Sequence, residues 1–420
     1  MLTRIKASNF YGIKDPVEVL FTEGGKKDKI GYANFGKERV SLISGFYGAN
    51  ASGKSTILHA IDTIIRIILV RNQEFDTLNG VKIKRDVVMA LPNFSEEMKS
   101  KPIELEMDFI IDKNKYRYFV SIANEGREIS EEVLDKNSKN IFKRKDHKVL
   151  FENSIKKKLA SISQNIVAII APTQSSFLSI VLDDSSDLSV FGNIKEEIGV
   201  SELKQIQNKI CFITDKRSVQ MGQNNISGLF AFALSYLNDT QTGQQEKINK
   251  VNSVVKYFEP SFDGLIIEKR DNNSFRFDAK YNDFYKELPV PEMSAGTREI
   301  ISYISEILRI IKNGGIVVYD ETSKYFHSDM EMAILNLFKD KDINKNNAQI
   351  FFSSHNHETF DLLQNDQAHI LEKKKGNIIA TKVSDFDVKE RDNIKRIYRL
   401  GSLGGIPDTI DFNRVINNLL

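Results

Sequence analysis

Cysteine is almost absent from this sequence of 420 residues, and tryptophan is entirely absent. A single cysteine, Cys211, excludes a disulfide framework within the chain and a cysteine-based metal site. Because Cys211 lies in the short apolar run from Ile210 to Ile213, we interpret it as a buried core residue. The chemistry of this protein must therefore be sought in other residue types.

Long hydrophobic runs are also missing. No stretch stays apolar for the roughly 18 residues that a membrane-spanning helix needs. The nearest candidate, Ile61 to Val70, is interrupted by Asp62 and Arg66. The first residues, Met1 to Lys6, lack the apolar core of a signal peptide. We therefore expect a cytoplasmic protein without a membrane partner.

Neither charge sign dominates, since 59 Lys and Arg side chains stand against 57 Asp and Glu side chains, for a formal charge of +2. This balance does not demand a nucleic-acid partner, although a local basic patch can bind one. Such a patch contains Lys143, Arg144, Lys145, Lys148 and Lys156 to Lys158. We interpret it first as a solvated face, and DNA binding stays open as the alternative.

The strongest motif lies between the apolar run Val40 to Ile43 and the helical pattern Thr56 to Ile61. Residues 48–55 match the phosphate-loop pattern G-x-x-x-x-G-K-[ST] at every defined position. The glycines let backbone N–H groups surround a polyphosphate, and the N-terminus of the following helix adds its positive end. We predict that ATP is held by Gly48, Asn50, Ala51, Ser52, Gly53, Lys54, Ser55 and Thr56.

Two of these side chains have distinct roles in such a loop. Lys54 reaches the β- and γ-phosphates, and the Ser55 hydroxyl ligates Mg²⁺. The predicted cofactors are therefore ATP and Mg²⁺.

A second turn, Ser294-Ala295-Gly296-Thr297-Arg298, precedes an apolar helix from Ile300 to Ile311. A hydroxyl, a close backbone approach and a helix N-terminus make an anion site, so we predict ATP contacts from Ser294, Gly296 and Thr297.

Two apolar strand patterns then end in groups suited to hydrolysis. The strand before Asp320 and Glu321 places Asp320 in the Mg²⁺ shell, and it places Glu321 to polarise the attacking water. The next strand ends at His355, which we predict to contact the γ-phosphate or orient that water. The other histidines near these motifs, His327 and His357, are weaker candidates.

A long segment separates the phosphate loop from these later motifs, which indicates an insertion. Alternating patterns at Ile103 to Ile111 and Tyr116 to Ile122 predict a β-hairpin, and helical spacing at Ser227 to Leu237 and Ile248 to Tyr257 predicts helices. We divide the chain into an N-terminal head segment (1–95), an inserted β-lobe (96–150), a mostly helical insertion (151–265) and a C-terminal head segment (266–420). The predicted fold class is α/β.

The order of these motifs resembles an ABC-type ATPase head of the SMC, RecF and OLD-like group. Within that group it looks like the stand-alone ATPases of bacterial anti-phage systems, such as the AbiL-type abortive-infection ATPase and the ATPase subunit of PARIS. The likeness rests on residues 48–55, Ser294 to Arg298, Asp320 to Thr322 and Gly404 to Pro407. It implies an ABC-type P-loop head, with a mixed sheet flanked by helices, that carries an inserted β-lobe and a mostly helical subdomain.

The resemblance also implies a homodimer or higher homo-oligomer formed through the heads. Ser294 and Gly296 of one copy would cap the γ-phosphate held by Lys54 and Ser55 of the other. The sequence departs from the family at Thr322, where an apolar residue is usual, and at Ser-Ala-Gly-Thr in place of Ser-Gly-Gly. For the glutamine that usually follows the first helix, Gln73 is the candidate.

We therefore expect an ATPase that acts as the sensor or regulatory subunit of an anti-phage defence system. It would control a separate effector protein, a nuclease or toxin and possibly a TOPRIM-like one, through ATP-dependent head pairing. No nuclease domain of its own is expected, because only about 65 residues follow His355. A RecF-like DNA-binding repair ATPase and an ATP-locked assembly scaffold are the alternatives, and a transporter ATPase fits least.

Overall fold

The computed structural model describes residues 1–24, 29–36, 38–69, 75–78, 81–84, 88–152, 175–183, 201, 203–204, 210–213, 240–269, 275–324, 326–389 and 392–406. Four sequence predictions therefore lie outside the described residues, in whole or in part. They concern Gln73, the helical pattern at Ser227 to Leu237, the basic residues Lys156 to Lys158, and Pro407 at the end of the C-terminal motif.

The described helices are α1 (Lys54–Leu69), α2 (Phe177–Leu182), α3 (Gln241–Phe258), α4 (Ala295–Asn313), α5 (Ser328–Asn336) and α6 (Ile394–Arg399). Short 3₁₀ turns lie at Glu96–Met98, Asn124–Gly126, Val290–Glu292, Thr322–Lys324, His357–Leu362 and Val383–Asp385. None of the described helices is both long enough and apolar enough to cross a bilayer.

The strands of the first half are β1 (Leu2–Ser8), β2 (Val17–Leu20), β3 (Thr22–Gly24), β4 (Tyr32–Phe35), β5 (Glu38–Ser41), β6 (Ile43–Tyr47), β7 (Phe75–Leu78), β8 (Val81–Lys84), β9 (Ile103–Ile111), β10 (Asn114–Ala123), β11 (Glu128–Lys136), β12 (Lys139–Lys145) and β13 (Lys148–Phe151). Those of the second half are β14 (Ile210–Ile213), β15 (Phe262–Lys269), β16 (Phe275–Tyr281), β17 (Leu288–Pro289), β18 (Ile316–Tyr319), β19 (Gln349–Ser353), β20 (Ala368–Lys374) and β21 (Asn377–Lys382).

A six-stranded central sheet in the order β14-β18-β19-β6-β20-β21 organises the molecule. Its first five strands are parallel and β21 runs antiparallel to β20, so the sheet is mixed. The carboxyl ends of parallel strands meet at one edge, where α/β proteins bind ligands. The chain segments that follow Tyr47, Tyr319 and Ser353 leave the sheet at this edge.

Both faces of the central sheet are buried, which explains why its strands read as continuous apolar runs. Along β18, Val317 and Tyr319 share a core with α4, whereas Val318 faces the core that contains α1. On β19, Phe351 lies with Val318 and Phe352 lies with α4. This alternation follows from the two-residue period of a strand.

A seven-stranded antiparallel sheet covers the other side of α1, in the order β13-β12-β11-β10-β9-β1-β2. Leu105 and Tyr118 of this sheet and Ile61 of α1 share one core with Phe351 of the central sheet. Each large apolar side chain fully buried in this way stabilises the fold by roughly 1.5–3 kcal/mol. The phosphate-loop helix is thus held between two sheets.

The predicted α/β class, with a mixed sheet flanked by helices, is confirmed. The structure refines the insertion in two places. Strand β9 of the β-lobe pairs directly with β1, with Leu105 opposite Ala7, so the lobe extends a sheet that the head begins. Strand β14 lies within the segment predicted as mostly helical, yet it pairs with β18. A four-residue apolar run fits a buried strand and a helix alike, and the domain boundaries stay predictions.

Candidate nucleotide-binding site

The phosphate loop joins the end of β6 to the start of α1, as the sequence predicts. Gly48 has φ +152° and Gly53 has φ +107°, values that side-chain-bearing residues rarely adopt. A Cβ on Gly48 would overlap the Leu371 carbonyl oxygen, and one on Gly53 would overlap the Ile378 side chain. Both glycines are therefore required by the backbone path and by their close neighbours.

Two side chains of the loop fit a polyphosphate. The Lys54 ammonium donates to the carbonyl oxygens of Gly48 (2.8 Å) and Ala49 (3.0 Å). Burial lowers the pKa of Lys54, while Asp320 and Glu321 act in the opposite direction. The Ser52 hydroxyl is buried without a hydrogen-bond partner among the described residues. Phosphate oxygens would satisfy this hydroxyl and give Lys54 a better acceptor than two carbonyls.

The two predicted Mg²⁺ residues lie together. Ser55 Oγ donates a hydrogen bond to Asp320 Oδ1 at 3.1 Å, although the two residues are 265 positions apart. The described residues contain no group of three or more His, Cys, Asp or Glu side chains arranged to hold a metal ion by themselves. Mg²⁺ in nucleotide sites is held by one or two protein oxygens together with phosphate oxygens and water, so this pair fits the ion.

Glu321 adopts an unusual backbone conformation beside this pair, with φ +57°. Its N–H donates to Ser353 Oγ at 2.8 Å, and that hydroxyl in turn donates to Asp320 Oδ1 at 2.6 Å. A left-handed conformation at a residue with a long side chain costs about 1–3 kcal/mol and persists only where neighbours hold it. Ser353 is one such neighbour, and it fixes both carboxylate residues at the strand end.

His355 lies within electrostatic reach of the same groups. Its backbone N–H donates to Ser323 Oγ at 3.0 Å. Partial burial and the charge of Lys54 lower the pKa of His355, against the opposing effect of Glu321 and Asp320. A neutral imidazole at pH 7 follows, with one nitrogen as donor and the other as acceptor. The structure thus gathers Lys54, Ser55, Asp320, Glu321 and His355 at one edge of the central sheet.

The predicted Ser294 turn is formed, and Ser294 itself bonds within the turn. Ser294 caps α4 by accepting from the Thr297 N–H at 3.1 Å. The buried Thr297 hydroxyl bonds to Ser294 Oγ (2.7 Å) and donates to the carboxylate of Glu259. The Tyr319 hydroxyl donates to Glu299 Oε1 at 3.0 Å and ties α4 to β18. Ser294 itself is exposed, so its ATP contact and those of Gly296 and Thr297 stay predictions.

The C-terminal motif that carries part of the family likeness packs behind the phosphate loop. The Gly405 N–H donates to Glu372 Oε1 at 3.2 Å, and the Tyr398 hydroxyl donates to the Gly405 carbonyl at 3.0 Å. A Cβ on Gly405 would stand 3.3 Å from the Gly48 Cα. The C-terminal motif therefore packs against the phosphate loop and supports it.

The other candidates from the sequence, His327, His357 and Arg144, make contacts that stabilise the fold. His327 accepts from the Asp329 N–H at 3.3 Å and caps α5, and His357 packs edge-to-face on Tyr398. Arg144, which was predicted in the basic patch, is buried and donates to the carbonyl oxygens of Ser175 (2.8 Å) and Asp146 (2.9 Å). The burial of Arg144 therefore excludes it from a DNA-binding surface.

Sequence reasoning missed the residues that hold the site in place. Ser353 and Ser323 bond directly to the backbone of Glu321 and His355. The sequence carried one usable signal, since Ser353 and Ser354 stand between an apolar strand and His355. Two hydroxyl residues at a buried strand end need hydrogen-bond partners, and the neighbouring strand end offers them.

Comparison with solved structures gives low sequence identities. An SMC head bound to the C-winged helix domain of ScpA is 13% identical, with a TM-score of 0.48 over 91% of this chain and 99% of that chain. The SMC head domain from Thermotoga maritima is 11% identical, with a TM-score of 0.41 over 91% of this chain and 98% of that one. No protein of curated function matches the sequence.

A sequence-family model also matches this chain. The family described as "AAA domain, putative AbiEii toxin, Type IV TA system" matches residues 43–361. This range covers most of the chain and includes the phosphate loop, the Ser294 turn, Asp320, Glu321 and His355. The chain therefore belongs to this AAA_21 family of P-loop ATPases.

Proposed function

We propose that this protein hydrolyses ATP with Mg²⁺ and that hydrolysis requires two copies paired through their heads. The observation that carries the proposal is the convergence of Lys54, Ser55, Asp320, Glu321 and His355 at one sheet edge. Ser294 is exposed, and among the described residues it bonds only within its own turn, which supports a contact with a second copy.

Each side chain has a role in this reaction. Lys54 leaves the carbonyls of Gly48 and Ala49 and binds phosphate oxygens, while Ser55 and Asp320 hold Mg²⁺. When bound, Mg²⁺ neutralises charge that develops between the β- and γ-phosphates. The Glu321 carboxylate orients the attacking water and accepts its proton, and the neutral His355 ring donates a hydrogen bond to the transferred phosphoryl group.

We further propose that ATP-dependent pairing regulates a separate effector in anti-phage defence. The family description, which names a toxin of a toxin–antitoxin system, and the motif likeness to defence ATPases support this role. ATP shifts the equilibrium toward the pair because its γ-phosphate contacts Ser294 and Gly296 only in the paired state. The effector would read the paired and unpaired states differently.

Complementation between two inactive variants tests pairing directly. Lys54→Ala removes the phosphate contact and leaves the Ser294 turn intact, whereas Ser294→Arg blocks the turn and leaves the phosphate loop intact. Each variant alone should be inactive. An equal mixture should recover about a quarter of wild-type turnover, because half of the dimers then hold one complete site out of two. Inactive mixtures, or an active Ser294→Arg protein, would contradict a shared site.

The catalytic assignment has its own test. Glu321→Gln should reduce turnover by about a hundredfold or more while ATP binding is kept, since only water activation is lost. Light scattering should then show a dimer that persists in ATP and dissociates in ADP. Wild-type turnover in Glu321→Gln would remove Glu321 from the mechanism, and negligible turnover in the wild type itself would favour the scaffold alternative.

A further inference from the structure

A buried carboxylate on α5 connects the two catalytic loops. Glu331 is only 1% exposed and belongs to none of the nucleotide motifs. Its carboxylate accepts hydrogen bonds from the Thr322 hydroxyl, from Ser354 Oγ at 2.7 Å and from Asn356 Nδ2 at 2.8 Å. Three donors thus meet one carboxylate in the interior of the protein.

These donors stand next to the two residues assigned to the reaction. Thr322 directly follows Glu321, while Ser354 and Asn356 flank His355 on both sides. The Asn356 N–H donates to Ser354 Oγ at 2.9 Å, and its side chain also donates to Ser328 Oγ at 2.9 Å. The loop after β18 and the loop after β19 are therefore bonded to the same side chain of α5.

A carboxylate is well suited to this junction. A buried carboxylate is tolerated only when donors surround it, and each donor is fixed in turn by a charged acceptor. Glu321 needs such support because its backbone has φ +57°. Networks of this kind hold their members more rigidly than isolated hydrogen bonds do.

We propose that Glu331 is a positioning residue for ATP hydrolysis, which sets the distance between Glu321 and His355 through Thr322, Ser354 and Asn356. The inference rests on the proposed ATPase function. It predicts an effect on turnover and little effect on ATP binding, because Glu331 contacts neither the phosphate loop nor Asp320 in the described structure.

A swap of charge between two partners gives a sharp test. In Glu331→Gln one amide oxygen replaces two carboxylate oxygens, so it accepts either from the Asn356 amide or from the Thr322 and Ser354 hydroxyls, but not from both sides. We expect kcat to fall about tenfold with the Kd for ATP within about threefold of wild type. Asn356→Asp places a second carboxylate beside Glu331 and should be slower still. The double variant restores a donor and an acceptor, so kcat should return to within about threefold of wild type.

A matched control separates positioning from general packing. Leu335→Ala removes a side chain of the same helix that is also 1% exposed and lies outside the network. It should lower the melting temperature and leave kcat per folded enzyme unchanged. If Glu331→Gln cannot be obtained folded, Ser354→Ala removes one donor to Glu331 together with the acceptor of the Asn356 N–H, and its kcat should fall about threefold to tenfold.

The outcomes distinguish this inference from the function on which it rests. Wild-type protein without ATPase activity would defeat the proposed function. If the wild type is active, Glu321→Gln is inactive and Glu331→Gln has a normal kcat, the role of Glu331 is overturned and the proposed function stands. A double variant as slow as the slower single variant would also overturn it, because the loss would then not arise from the bond between the two side chains.

Discussion

Removal of the Ser353 hydroxyl should impair hydrolysis far more than nucleotide binding. Ser353 ends β19 with its side chain fully buried. Its Oγ accepts from the Glu321 N–H at 2.8 Å and donates to Asp320 Oδ1 at 2.6 Å. Ser353→Ala abolishes both bonds and leaves the left-handed backbone of Glu321 without this support.

The size of the effect follows from these two bonds. A hydrogen bond to a charged acceptor contributes about 1.5–3 kcal/mol, and an unpaired buried N–H costs about 1–3 kcal/mol. If about 1.4–2.8 kcal/mol of this total stabilises the transition state, kcat falls about 10-fold to 100-fold. Asp320 keeps its contact with Ser55, so the Kd for ATP with Mg²⁺ should change by about threefold or less.

Steady-state ATPase assays and calorimetric titration with a non-hydrolysable ATP analogue measure the two quantities separately. Ser44→Ala is the matched control, because Ser44 is a buried serine on β6 whose hydroxyl bonds only to Ser41 Oγ at 3.3 Å. It should leave kcat unchanged. Wild-type kcat in Ser353→Ala, or an equal loss in Ser44→Ala, would refute a specific role for the Ser353 bonds.

Three further predictions concern stability and the support of the phosphate loop. Burial lowers the pKa of His369 from 6.5 to about 3, so between pH 6.5 and 4 the unfolded chain binds a proton that the folded state does not. Acidification over this range should therefore lower the free energy of unfolding by about 3 kcal/mol through this group. Urea unfolding of His369→Phe should lack this part of the loss at acid pH. In Gly405→Ala the added Cβ would stand 2.8 Å from Ile370 Cγ2 and 3.3 Å from the Gly48 Cα, so it should press on the phosphate loop and weaken ATP binding. Gly401→Ala, with a similar φ of +80° and no atom of the described residues within 4 Å of its Cβ, should show only backbone strain of about 1–2 kcal/mol in unfolding and normal ATP affinity in titration. Arg144→Met should destabilise the fold by about 3–5 kcal/mol in urea unfolding, because Glu132 loses its buried partner at 3.7 Å and the Ser175 and Asp146 carbonyls lose their donor.

The convergence of the main candidate residues could be predicted because each lies beyond a short apolar run. Strands buried on both faces, such as β6, β18 and β19, are visible in the sequence as such runs. Parallel strands bring their carboxyl ends together, so Lys54, Asp320 and His355 meet without any information beyond strand order. Local chemistry and one topological rule were sufficient here.

Partners that are distant in the sequence could not be predicted in the same way. Glu331 lies in a short helix, where a glutamate is normally solvated. The positions of Thr322, Ser354 and Asn356 explain its burial. The predicted exposure of Arg144 was wrong for a different reason. Arg144 shares a strand face with the buried Phe142, so the two-residue period alone would have placed it inward.

The described part of the insertion meets the nucleotide site through α1. Ser176 Oγ donates to the Ile67 carbonyl at 2.7 Å in the last turn of α1, and the N–H groups of Phe177 and Leu178 donate to Glu132 at 2.7 and 3.1 Å. The first turn of the same helix carries Lys54, which lies 13 residues before Ile67 and therefore about 20 Å from it along the helix axis. Residues 175–183 therefore contact both the β-lobe and the end of α1 that is opposite the phosphate loop.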